Sequence, residues 1–151
     1  MKTITTTLIA VIASATTLFA ASLYTSAEDR PIVFDELPAE AQAFVSKYFA
    51  NEELSHIILD RDVISIDYRV AFLSGTKLEF DSNGKWKEVE TRNDVVPYDL
   101  VPQAITEYVA KHYPNRKITE IKRNHYYTEV TLNGGLELTF NRYYKLVDVD
   151  D

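Results

Sequence analysis

The chain contains no cysteine, and its 151 residues include only four glycines, five prolines and one tryptophan. Without cysteine there is no disulfide, no thiolate nucleophile, no cysteine-zinc site and no acylated N-terminal cysteine of a lipoprotein. No phosphate loop, dinucleotide fingerprint or Gly-x-Ser-x-Gly elbow is present. Basic residues are also in the minority, with 16 Lys and Arg against 23 Asp and Glu and a net charge of −7. Counterion release from nucleic acid needs clustered cations, so nucleic acid and anionic lipid are excluded as main partners. An acidic surface favours solubility and steers basic partners.

Charge is missing altogether from one long stretch. After Lys2, residues 3–27 carry none, and the run from about Leu8 to Leu23 is apolar but broken by Thr and Ser. A basic start, an apolar centre and a small-residue exit describe a secretory signal peptide. The stretch is too polar for a comfortable transmembrane span. Thr25 and Ala27 suit positions −3 and −1, so cleavage is expected after Ala27, with a cut after Ser22 as the alternative. The expected domain is residues 28–151, which carry all 23 acids and lose only Lys2, for a charge of −8.

Within that domain the sequence repeats. LPAEAQAFVSKYFANEELSHI (37–57) aligns without a gap to VPQAITEYVAKHYPNRKITEI (101–121) at an offset of 64. GTKLEFDSNGKWKEVE (75–90) aligns to GLELTFNRYYKLVDVD (135–150) at an offset of 60. A period near 60 with two copies indicates one duplicated supersecondary unit, over about 35–92 and 97–151. The change of offset places a shorter hairpin in the second copy.

Each unit opens on a helix. Ala41, Phe44, Val45, Tyr48 and Phe49 follow a 3.6-residue period, as do Ile105, Tyr108, Val109, His112 and Tyr113. Pro38 and Pro102 suit the first helical position. Period-2 strands follow. Ile64, Ile66, Tyr68, Val70 and Phe72 are expected on one face in the first copy, and Tyr126, Thr128, Val130 and Leu132 in the second. Shorter strands are expected near 54–59 and 118–123, and the linker near 91–99. The predicted fold is α+β: two tandem α-β-β-β-β repeats forming an antiparallel sheet with the helices packed on one face.

A signal peptide, two copies of L/V-P-x-x-h-x-x-h-V-x-K-h-h-x-N (h, apolar or aromatic) and alternating strands ending in h-x-h-F-D/N resemble the PepSY-like, β-lactamase-inhibitor-like family of secreted bacterial proteins. The resemblance implies a periplasmic or secreted protein whose uncovered sheet face holds another protein. Those inhibitors carry disulfides and this chain has none, so no inhibitory residue is transferred.

No chemical constellation accompanies these features. His112 replaces Tyr48 of the first copy and has no nucleophile, metal ligand or orienting acid within helical reach. His56 and His125 lack partners at metal-ligand spacing. Asp81-Ser82-Asn83-Gly84 begins like a calcium loop, but position 12 is Arg92 where a Glu is required. No catalytic residue, cofactor or metal is assigned. Parity points the Tyr127 ring away from the core, and Tyr143-Tyr144 fall where the first copy makes its Asn83-Gly84 turn. Tyrosine offers large contact area at low side-chain entropy. Tyr127, Tyr143 and Tyr144 are therefore the candidate contact surface for a protein or peptide, with packing over the sheet edge as the alternative. Trp86, aligned with Leu146, belongs to the core or the sheet rim. A small-ligand or weakly hydrolytic pocket, or a structural envelope role, are the rival functions.

Overall fold

The computed structural model of the protein describes residues 29–92 and 94–151. The expected leader and its cleavage site lie outside the described residues. Nine strands form one antiparallel meander in which each strand pairs with its neighbours in sequence. They are β1 (Arg30–Ile32), β2 (Leu54–Arg61), β3 (Ile66–Phe72), β4 (Lys77–Phe80), β5 (Trp86–Glu90), β6 (Ile118–Arg123), β7 (Tyr127–Leu132), β8 (Glu137–Asn141) and β9 (Leu146–Asp150). Helix α1 (Ala39–Tyr48) precedes β2 and α2 (Gln103–His112) precedes β6, each after a short 3-10 turn. The order of helix and four strands thus occurs twice. The β2–β3 hairpin, 54–72, is longer than the β6–β7 hairpin, 118–132.

The core follows from strand parity. Ile32, Ile57, Val70, Leu78, Val89, Ile121, Val130, Leu138 and Val149 lie directly across from one another, strand by strand, through all nine strands. All but Val149 are buried. Both helices cover this face. Phe44 of α1 meets the edge of Phe80 at 5.5 Å between centroids, and Tyr108 of α2 meets Phe140 at 5.4 Å in the same way. Ala41 and Val45 of α1, and Ile105 and Val109 of α2, are buried with them.

Several local expectations change. Pro38 and Pro102 are N-caps, one position earlier than expected, with extended ψ of 143° and 135°. Their carbonyls accept the amides of Gln42 and Thr106, so they start the helix without adopting its conformation. Ile64 and Tyr126 are not core residues. The alternating pattern runs on into turns, and these side chains are 92% and 78% exposed, outside β3 and β7. His112 does not lie on the buried stripe. It is exposed at the last position of α2, stacked on Tyr108 at 4.3 Å. Strand β1 was not anticipated: it has three residues and contains Pro31, whose missing N–H suits only an edge.

Candidate functional site

In a meander the turns alternate between the two ends of the sheet. The β2–β3, β4–β5, β6–β7 and β8–β9 turns therefore share one end. That end carries the exposed apolar side chains Val63, Ile64, Tyr126, Tyr127, Tyr143 and Tyr144.

The β4–β5 and β8–β9 turns are built alike. The Asp81 carboxylate accepts the amides of Asn83 and Lys85, and the Asn141 side-chain oxygen accepts those of Tyr143 and Lys145. The amides of Gly84 and Tyr144 then donate to the carbonyls of Asp81 and Asn141. This geometry requires a left-handed residue before the returning strand. Gly84 fills it at φ +85°, whereas Tyr144 adopts φ +57° and is the non-glycine residue with positive φ among the described residues. A bulky side chain there is strained by roughly 1–3 kcal/mol. The first turn could not take one, because a Cβ on Gly84 would come within 2.9 Å of the Ala41 amide nitrogen.

The three candidate tyrosines come together. Tyr127 lies directly across from Asn141, the residue that holds the Tyr143 amide. Tyr127 is 39% exposed, Tyr144 44% and Tyr143 65%, so none is packed away. Asn124 ties down the neighbouring turn by accepting the amides of Tyr126 and Tyr127. Sequence reasoning missed Tyr126 as part of this cluster, and it missed the surrounding cations. Arg142 lies over the Tyr143 ring at 4.7 Å and also donates to its hydroxyl. Arg123 lies 3.5 Å above the half-buried Trp86 ring and donates to the Trp86 carbonyl. Neither 123–127 nor 141–145 contains an acid, although Glu40 and Asp81 of the neighbouring elements act on Arg123.

The face away from the helices is different. Arg69, Glu79, Glu88, Lys122, Glu129, Thr139 and Asp148 cross it as one row. Ion pairs join Lys87 to Asp67 and Glu79, and Lys122 to Glu88 and Glu120. Burial pushes the Glu88 carboxyl up, and burial followed by the field of Glu137 does the same to Glu129. A hollow of about 360 Å³ on this side is bordered by His56, Arg69, Lys77, Glu79 and Glu88. The cations there are tied up in ion pairs: Arg69 with Asp29 and Asp60, and Lys77 with Glu90. His56 meets the Ser55 hydroxyl at 3.1 Å on an exposed strand. Among the described residues no group of three or more His, Asp or Glu side chains is placed to hold a metal ion.

A family model described as "Putative beta-lactamase-inhibitor-like, PepSY-like" matches residues 66–148. The chain belongs to this family. Three solved structures are similar to this PepSY-like protein. One, described as a putative periplasmic protein from the DUF2874 family of Bacteroides vulgatus, is 36% identical with a TM-score of 0.79, covering 83% of this chain and 99% of its own. A putative calcium-regulated periplasmic protein of Bacteroides thetaiotaomicron is 34% identical at 0.79, over 82% and 97%. A putative periplasmic protein of unknown function from Bacteroides vulgatus is 31% identical at 0.78, over 82% and 100%. None of the curated proteins matches the chain. No helix among the described residues is long and apolar enough to cross a membrane.

Proposed function

We propose that this PepSY-like protein is a non-enzymatic protein-binding module of the bacterial envelope, and that Tyr127, Tyr143 and Tyr144 are its contact surface. The observation that carries the reading is Tyr144, a strained aromatic at a turn position where the other half of the molecule uses glycine. Strained backbone conformations cluster at functional sites. The ring and its neighbours form an exposed cluster on two adjacent hairpins, and aromatic side chains next to arginine are the residues from which interface hot spots are built.

We read the two halves as copies of one unit, of which the second keeps the turn but carries Tyr143 and Tyr144 in place of Asn83 and Gly84. Residues 1–27 are a leader cleaved after Ala27, which delivers residues 28–151 to the periplasm, the compartment named for the similar structures. The small-ligand reading is weaker, because the hollow beside His56 is open and its cations are already paired with carboxylates. The test is capture of envelope proteins by the immobilised protein and by a variant with Tyr127, Tyr143 and Tyr144 all changed to Ala. A discrete partner held by the parent and lost by the variant, with unchanged unfolding midpoint, supports the reading. Equal capture by both removes the tyrosine surface.

A further inference from the structure

The last strand leaves an edge whose intended neighbour can be read from the molecule itself. β5 and β9 occupy matching places, with Glu88, Val89, Glu90 and Thr91 corresponding to Asp148, Val149, Asp150 and Asp151 at an offset of 60. The outer side of β5 is paired with β6: Glu88 faces Lys122, Val89 faces Ile121, and Glu90 faces Glu120. Lys122 closes a 3.4 Å ion pair with Glu88, and the Thr91 amide donates to the Thr119 carbonyl at 2.7 Å.

The outer side of β9 has no partner strand among the described residues. Its donors are nonetheless occupied. The Val149 amide donates to the Asp148 carboxylate at 3.0 Å, and the Asp151 amide to the Asp150 carboxylate at 3.1 Å. The Asp151 amide is the counterpart of the Thr91 donor that β6 satisfies. Val149 ends the aliphatic row that crosses the sheet and is 46% exposed, whereas its counterpart Val89 is fully buried. At the opposite edge Pro31 interrupts the row of donors, but β9 has no proline. Asp148, Asp150 and Asp151 give the β9 edge a purely acidic character.

We propose that β9 accepts an antiparallel strand from a partner protein, with an apolar residue facing Val149 and a lysine or arginine facing Asp148. The incoming cation neutralises Asp148, which releases the Val149 amide to the new backbone ladder. Main-chain bonds then supply affinity while alternate side chains supply selectivity. A second copy of this chain is a poor occupant, because two β9 edges would set aspartates against one another. The proposal is independent of the tyrosine surface.

The probe is a capped peptide of the β6 sequence, KITEIKRN, titrated into the isotope-labelled protein. Chemical shifts and amide exchange of β9 are read, alongside a control peptide with the second lysine changed to glutamate. The expected result is shift changes along β9, exchange protection at Val149 and Asp151, and affinity at least tenfold weaker for the control peptide. Val149→Pro removes an outward donor at an edge that tolerates proline, and it should abolish binding while the β7–β8 signals stay in place. Asp148→Lys should weaken binding at least tenfold, and Lys111→Ala on the outer side of α2 should leave it unchanged. Absence of any β9 response at millimolar peptide, or equal binding by the Val149→Pro variant, overturns the proposal. So does concentration-dependent self-association that Val149→Pro abolishes, which would make a second copy the occupant.

Discussion

Tyr144 and Gly84 do the same backbone work with different side chains, and the difference is measurable. Tyr144→Gly should raise stability by about 1 kcal/mol, because left-handed backbone costs an L side chain that much and glycine nothing comparable. Urea unfolding checks it, and a loss of stability would mean that the ring is held by packing. Gly84→Ala should lose about 1–3 kcal/mol in the same assay, since it adds the strain and presses a methyl group against the start of α1. The placement of tyrosines opposite Asn83-Gly84 was legible in the alignment of the two halves of the sequence. The positive φ was not, because a turn's handedness depends on its hydrogen bonds, here those of Asn141. The Arg123–Trp86 stack was equally hidden, since the two residues meet only when β5 and β6 pair.

Among the elements, the helices and the inner strands were readable because burial on one face imposes a period. Ala41, Val45, Ile105 and Val109 are buried as the 3.6-residue stripe requires, and Val70, Phe72, Leu78 and Phe80 as alternation requires. Ile64 and Tyr126 misled because alternation is a property of the sequence, whereas a strand ends where its hydrogen-bonded partner ends. The β-bulges opposite Phe80 and Phe140 were likewise invisible. They place Lys87 on the charged face, paired with Asp67 and Glu79, and leave the matching Val147 exposed. Phe80 and Phe140 each carry one helix, so Phe80→Ala and Phe140→Ala should each cost roughly 3–5 kcal/mol. Calorimetry of the two variants checks this, and a cost below about 1 kcal/mol at either site would show that its helix is held elsewhere.

At the scale of the whole molecule, the charged face sets the response to pH. Burial raises the Glu88 and Glu129 carboxyls, and a hydrogen bond with Asp29 raises Asp60. An acid raised in the folded state costs stability while ionised, and the cost is relieved as pH falls through its folded pKa. Glu36 and Asp99 go the other way, lowered by the Val33 amide and the Tyr48 hydroxyl. Their contributions hold above the ordinary carboxylate range and vanish as pH falls through their depressed values. Stability should therefore rise as pH falls from neutral through the range of the raised carboxyls, and fall again in stronger acid as the lowered ones are protonated. Urea midpoints across that range check it, and Glu88→Gln should flatten the rise. A monotonic fall from neutral pH would show that the lowered acids dominate.

The same scale holds the functional question. One end of the sheet carries the exposed tyrosines with Arg142 over one of them, the open face is a lattice of ion pairs, and the helix side is closed. The most direct measurement is site-specific photocrosslinking in the native envelope, with the reactive group placed at position 143 or, as a control, at Thr139 on the open face. The proposed tyrosine surface predicts one discrete protein adduct from position 143, none from 139, and loss of the adduct when Tyr127 and Tyr144 are changed to Ala. An adduct from 139 but not from 143 would place the partner on the open face and contradict it.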